Sequence, residues 1–421
     1  MVIKRAKQLK SILLPSDKSE IDINSVTAAR QYIENYWPKL TRHNMKDDGS
    51  LIGLPKPYLV PAFEEGHDFD FNELYYWDSY FMVQGMLDNP EHKELVMGIL
   101  ENLISLYTRF KIIPNASRTF LMGRSQPPFL TSFILDVYNA YGLDKKWLTK
   151  NMAVAKDEYQ TVWLGTAKPN MRQVYMGLSR FYDINHLNDL AEAESGWDHT
   201  IRFNRKCLEF LPVDLNALLY KYEKDFAYVA ELLGNAKEAK EWEKVAAHRA
   251  KTMKDLMWSD LKGMYYDYRY TKESRGNVDS LATYFPMWAG MVSDKQAARL
   301  VGSLRRFERK GGLTTTDAAT LGKIVPGPIP AQWAYPNGWA PLHLIAIQGL
   351  ERYGYHNEAK KIALKWIKTN LDWFNKHGVF LEKYNVVAPE KPPAKGVYPS
   401  QVGFGWTNAV FEKLCKEYID E

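Results

Sequence analysis

Apolar residues in this chain recur at helical spacing almost from end to end, and that recurrence confines it to an architecture of packed helices. After Asp214, residues Leu215, Leu218, Leu219, Tyr222, Phe226 and Val229 fall on one helical face, with Asp214 placed as an N-cap and Gly234 as a stop. After Asn357, residues Ala359, Ile362, Ala363, Trp366, Ile367 and Leu371 repeat the pattern. Comparable stretches occupy 26–37, 75–88, 92–110, 130–142, 145–163, 170–182, 236–257, 277–292, 294–308, 339–353 and 405–419. About a dozen helices in antiparallel pairs imply a closed double ring, six inner and six outer. Strand signals are short, and LKGMYYDYRY (261–270) reads as a hairpin or extended segment.

Gly- and Pro-bearing polar loops at 111–128, 183–198, 309–337 and 383–404 separate the helices. They exceed the usual connection of about 4–6 residues. Long loops on a rigid scaffold are where sites are built. No shift in composition marks a boundary, so residues 26–421 read as one domain preceded by a polar N-terminal arm over 1–25.

Charge and cysteine content exclude several classes. Lys+Arg 55 against Asp+Glu 50 leaves +5 on 421 residues, an excess too small to imply a nucleic-acid or membrane partner. Cys207 and Cys415 cannot form a disulfide scaffold or a multi-cysteine zinc site. The basic start has only Ile12–Leu14 as an apolar run, so no secretory signal is expected, and a cytoplasmic setting follows. No run is apolar enough for a membrane span. HExxH, CxxC, EF-hand, GxSxG and Walker patterns are all missing, so neither a metal nor an organic cofactor is expected. His67, His199 and His343 are scattered, each more simply read as structural than as a site residue.

The aromatic residues (13 Trp, 26 Tyr and 18 Phe) gather beside acids and amides in short strings. These are ELYYWDSYF (73–81), IPNASRTFLMGRSQPP (113–128), ESGWDHTIRF (194–203), VDLNALLY (213–220), GGLTTT (311–316), QWAYPNGWAP (332–341), LEKYN (381–385) and GFGWTN (403–408). Sugar sites favour this mixture, because pyranose C–H faces stack on rings while hydroxyls need paired donors and acceptors. Glycoside hydrolysis further needs two carboxyl groups, one protonated and one ionised. Asp198 after Trp197 and Glu382 after Phe380–Leu381 are the candidates. Taken alone, Asp198 is equally an N-cap for a helix near Thr200, and Glu382 a surface partner of Lys383.

In their order along the chain, IPN…R…RSQPP, ESGWD, GGL-T-T, QW-x-x-P-N-G-W-A-P, EKYN and GFGWTN resemble the trehalase family of inverting glycoside hydrolases, from about residue 58 to the C terminus. The resemblance implies an all-α (α/α)6 barrel, a six-hairpin toroid with long loops forming the active site. It puts Asp198 at the general acid and Glu382 at the general base. Trp77, Asp78, Asn115, Arg124, Gln126, Trp197, Trp333 and Trp406 fall on its substrate-binding positions. The chain departs from the family pattern at Asp70, where an Arg is usual, at Ala334 in place of an acid, and at Val397 in place of a Glu. The family's further Arg–Glu segment is not recognisable in DINHLNDLAEAE (183–194).

The expected activity is therefore inverting α-glycoside hydrolysis on a small oligosaccharide or glycoside, with α,α-trehalose first. Glucosylglycerate, mannosylglycerate or another small α-glucoside is the alternative substrate. A catalytically inactive sugar-binding barrel is the non-enzymatic alternative, and an epimerase or lyase on the same barrel the third reading. The sequence carries no signal for oligomeric state.

Overall fold

The computed structural model describes residues 21–66, 71–323, 331–394, 396 and 400–420. Its helices are α1 (Ile23–Leu40), α2 (Tyr76–Val83), α3 (Lys93–Phe110), α4 (Leu130–Tyr141), α5 (Lys145–Glu158), α6 (Asn188–Ala193) and α7 (Val213–Leu232). They continue as α8 (Ala236–Met257), α9 (Phe285–Trp288), α10 (Asp294–Ser303), α11 (Ala340–Arg352), α12 (His356–His377) and α13 (Gly405–Tyr418).

Burial sorts these into two rings that form an (α/α)6 barrel. Every residue of α2 and α9 is buried, and α7, α11 and α13 are buried on nearly all sides. A helix apolar all round belongs in an interior. Contacts run from α13 to α2, from α11 to α13, from α9 to α11, from α7 to α9 and from α4 to α7. Tyr80 of α2 closes the inner ring by stacking on Phe129 at the head of α4, centroids 4.5 Å apart. By contrast, α1, α3, α8 and α12 bury a single stripe, the signature of an outer layer. Each packs beside an inner helix: α8 on α7, α12 on α11, α1 on α13, and α3 on α4.

The helical spacing misleads in two places. Residues 170–182 are not helical. Gln173–Tyr175 and Leu178–Ser179 form an antiparallel hairpin. Its two-residue turn, Met176–Gly177, has φ of 47° and 78°, the double left-handed conformation that suits a hairpin and forbids a helix. Over 277–292 only a 3-10 turn (Leu281–Tyr284) and α9 form, because the backbone of Leu281 pairs with Thr315 instead. Asp214 is not an N-cap either. The helix begins at Val213 with Pro212 at its cap, and Asp214 faces an arginine. The segment 261–270 supplies short strands at Met264–Tyr265 and Tyr268–Arg269, as its composition indicates. Helix α1 starts at Ile23, inside the arm expected over 1–25, and residues 1–20 of that arm lie outside the described residues.

One buried ion cluster ties a long loop to the inner ring. The guanidinium of Arg202, fully buried, donates to Asp214 Oδ2 at 2.6 Å and Oδ1 at 2.8 Å, and to Asp267 Oδ1 at 2.7 Å. It lies 4.4 Å over the Trp197 ring. Burial pushes the Asp267 carboxyl up, and the arginine pulls it back down. Removing the cation strands two buried carboxylates. We expect Arg202→Met to lose about 3–5 kcal/mol of unfolding free energy in a urea titration; a loss below about 1 kcal/mol would show that the cluster does not anchor the loop.

Candidate active site

A cavity of about 480 Å³ opens where the inner helices begin. Among the described residues it is lined by Pro61, Phe71, Tyr75, Trp77, Asp78, Gln126, Gly196, Asp198, Trp333, Glu382, Gln401, Phe404 and Trp406. Trp77 and Asp78 sit in the first turn of α2, and Trp406 in the first turn of α13. Gln126 accepts the Trp77 amide hydrogen at 3.0 Å and hydrogen-bonds the Asp78 side chain, so one amide caps the helix and orients a carboxyl.

The Asp198 loop is held by carboxylates that never reach the cavity. Glu194, fully buried, accepts from the amides of Ser125 and Tyr182 at 2.7 Å each and pairs with Arg172. Glu192 accepts the Thr200 amide at 3.1 Å. Thr200 forms a parallel bridge to Trp333, so no helix starts there and Asp198 is not an N-cap. Gly196 has φ of 71°, and a Cβ there would lie 2.5 Å from the Trp77 ring. Only glycine satisfies both constraints.

Glu382 is fixed through its backbone. Its amide donates to the Gln401 carbonyl at 2.9 Å, and its carbonyl accepts from Trp406 Nε1 at 3.1 Å. It precedes a strand, Lys383–Asn385, paired antiparallel with Asn337–Trp339. Lys383 does pair with Glu382, at 2.5 Å, but both are buried and the pair is not a surface one. The GGLTTT string buttresses this strand: Thr315 donates to the Asn337 carbonyl, and Thr316 accepts from the Tyr335 amide.

Indole rings form the wall. Trp333 lies on Trp339 with centroids 3.8 Å apart and planes 3° from parallel. Trp77 and Trp406 meet Trp333 edgewise or tilted at 5.7 and 6.1 Å. Such surroundings exclude water and penalise charge. Burial pushes the Asp198 carboxyl up to about 6; the nearby Arg124 pulls it down and the charge of Glu382 raises it further. Burial pushes Asp78 up to about 8, with Asp198 and Glu382 adding to the rise. These responses mean that three carboxyl groups share one electrostatic environment, and one or more of them holds a proton at neutrality.

Seven of the ten candidate residues meet at this cavity: Trp77, Asp78, Gln126, Asp198, Trp333, Glu382 and Trp406. The other three are not among its lining residues. Asn115 spends its amide on the carbonyls of Ser125 and Ala193. Arg124 pairs with Asp183 at 3.2 Å while exerting its charge on Asp198. Trp197 lies behind Trp333, centroids 5.4 Å apart. His343 is a core brace: its Nε2 accepts the Leu313 amide and its Nδ1 faces the Trp339 carbonyl, so it is neutral, with burial holding it down to about 3. His199 lies half-buried next to Asp198, outside the lining set. His67, Asp70 and Val397 lie outside the described residues. Ala334 packs with Ile201 and Val278 in a small apolar cluster. Sequence reasoning passed over Tyr75, Phe404 and Gln401. The first two sit inside strings already singled out, and Gln401 carries no signal of its own.

Comparison with known proteins agrees with this architecture. A family described as Trehalase matches residues 14–194 and 185–419. The cytosolic neutral trehalase of Kluyveromyces lactis is 32% identical over 433 residues, covering 84% of this chain and 55% of that protein. The probable trehalase of Eremothecium gossypii is 30% identical over 88% of this chain and 58% of its own length. The chain thus spans about half the length of the curated relatives it matches. The structure of neutral trehalase Nth1 from Saccharomyces cerevisiae superposes with a TM-score of 0.74 at 26% identity, covering 92% of this chain and 79% of that one. A mannosylglycerate hydrolase from Thermus thermophilus shares the fold at a TM-score of 0.66 and 17% identity, covering 91% and 99%.

Two outcomes follow from the packing and the charge. Gly196→Ala is expected to lower Tm and to cost about 1–3 kcal/mol, with weakened sugar binding by calorimetry; an unchanged Tm would deny the contact with Trp77. The second concerns pH. The unfolded chain ionises Asp198 near 3.8 and the folded chain near 6, so the native state binds more protons between those values. Stability contributed by this group therefore falls as pH rises through that window. Asp198→Asn should raise Tm over wild type at pH 8, with the gain almost gone near pH 4; a gain independent of pH would contradict the assignment.

Proposed function

Because the chain belongs to the trehalase family, we propose that it is an inverting α-glycoside hydrolase whose first substrate is α,α-trehalose. The observation that carries this reading is the placement of Asp198 and Glu382 on one tryptophan-walled cavity, each within electrostatic reach of the other. Asp198, its proton affinity raised to about 6, is the general acid that protonates the inter-sugar oxygen. Glu382 takes a proton from a water attacking the anomeric carbon from the opposite face. The water oxygen joins the attacked glucose, which leaves as the β anomer, and the other glucose departs as the α anomer. Room for the water calls for carboxyl groups about 6.5–9.5 Å apart.

The remaining residues hold the sugar. Asp78, raised to about 8, keeps its proton at neutral pH and so donates as well as accepts toward a hydroxyl. Gln126 fixes it, Trp333, Trp77 and Trp406 supply the apolar wall, and Arg124 adds positive charge near Asp198. Asn115 and Trp197 support the sugar-binding residues from behind the wall. The name of the Kluyveromyces lactis relative supports both trehalose as substrate and a cytosolic setting.

Ala334 favours a second reading of the substrate. Where the family has an acid, this chain has a methyl group next to the cavity-lining Trp333, in an apolar cluster with Ile201 and Val278. If that acid serves a sugar hydroxyl in the family, its loss weakens discrimination by about 1–3 kcal/mol per lost hydrogen bond. A related small α-glycoside, such as glucosylglycerate or mannosylglycerate, then competes with trehalose. An inactive sugar-binding barrel has less support, since a pure binder has no use for both Asp198 and Glu382.

Hydrolysis of trehalose, glucosylglycerate and mannosylglycerate by the wild type, followed by released sugar, names the substrate. Asp198→Asn and Glu382→Gln are each expected to cut kcat on the preferred one by about 10³-fold or more while near-ultraviolet dichroism stays native. Turnover within tenfold of wild type in either variant would remove that residue from its role.

A further inference from the structure

We propose that Lys383 is a positioning residue for the general base: its ammonium, sealed from solvent, holds the Glu382 carboxylate ionised and aimed at the cavity. The inference rests on the hydrolase reading for Glu382 and adds a group to it.

A lysine following an acid in a strand ordinarily points to the opposite face and reaches water. Here Lys383 has no exposed surface, and its Nζ lies 2.5 Å from Glu382 Oε2. The strand pairing explains how. Lys383 sits directly opposite Trp339 in the antiparallel register. Its Nζ lies 5.0 Å from the centre of that indole, within cation–π range. Trp339 in turn lies flat on Trp333, which lines the cavity. The lysine thus sits against an indole that stacks on the cavity wall, and its charge ends on the base.

One carboxyl that stays ionised beside protonated ones calls for such a partner. Asp198 and Asp78 share the cavity, and the negative charge of Glu382 helps to raise both. Arg124 acts on Asp198 and is itself paired with Asp183, and Tyr75 adds a neutral phenol beside Asp78 and Asp198. Lys383 is a cation in direct contact with Glu382. Burying an ammonium is costly, and the pair is retained only where the geometry repays it. A cation touching one of two opposed carboxyls separates their roles: it favours the ionised form of that one and leaves the proton to the other.

The test is Lys383→Met, which keeps the stem on Trp339 and deletes the charge. The acid limb of kcat/KM is expected to move up by about one pH unit or more, so that activity on the acid side of the wild-type limb falls about tenfold or more while the alkaline limb stays in place. An unmoved acid limb, with activity lost only in proportion to folded protein, would overturn the proposal. Lys383→Arg, which keeps a cation, should leave the acid limb where it is, and it carries the test where the Met variant does not fold; a limb that rises with the cation still present would also overturn it. Carbon-13 titration of glutamate carboxyls, with Glu382→Gln to assign the resonance, reads the same ionisation without substrate. Expected is a titration at higher pH in Lys383→Met. An identical titration refutes the role of the lysine even if no glycoside tried is hydrolysed, and a wild type that turns over nothing refutes the hydrolase reading instead.

Discussion

Exclusion of water by stacked indoles is the constraint on which the rest of this site depends. Trp333 on Trp339, with Trp77 and Trp406 against its edges, forms a wall that cannot solvate charge. Against that wall, carboxyl groups of the same chemistry acquire different tasks. Asp78 is driven to about 8 and Asp198 to about 6, whereas Glu382 touches an ammonium. In water these groups would all be ionised near neutrality and none would serve as an acid.

The scaffold delivers the groups from distant parts of the chain without spending them on its own cohesion. Asp78 and Trp406 come from helix starts, Asp198 from a loop and Glu382 from the edge of a short strand. A separate set of buried acids does the holding. Glu194 gathers Ser125, Tyr182 and Arg172, while Asp214 and Asp267 clamp Arg202 under Trp197. Glu158, driven by burial to about 7, accepts from Tyr76, Tyr222 and Trp163 beneath the ring. The carboxyls that brace the loops and those that line the cavity are thus different residues, so a change at the cavity need not unfold the barrel.

Much of this was legible in the sequence, and the exceptions have physical causes. The barrel helices announce themselves because burial on one face imposes a 3.6-residue period, as in α8 and α12. Residues 170–182 carry that period yet fold as a hairpin, since periodicity says nothing of the paired left-handed conformations at Met176 and Gly177. The motif strings bring seven expected residues to one cavity, but motif membership does not separate a side chain that faces the hollow from one that braces it. Asn115 and Gln126 belong to the same string, and only Gln126 lines the cavity. Lys383 misleads in the opposite sense: a lysine beside a glutamate reads as a solvated pair, and only the strand register opposite Trp339 reveals its burial.

The central claim is that Asp198 and Glu382 act from opposite faces of one sugar, the first giving a proton and the second taking one from water. Proton NMR of the anomeric signals during the first turnovers of trehalose, before mutarotation, tests it most directly. The account predicts β-glucose and α-glucose appearing in equal amounts. Initial release of α-glucose alone would contradict it, whatever the rate of hydrolysis.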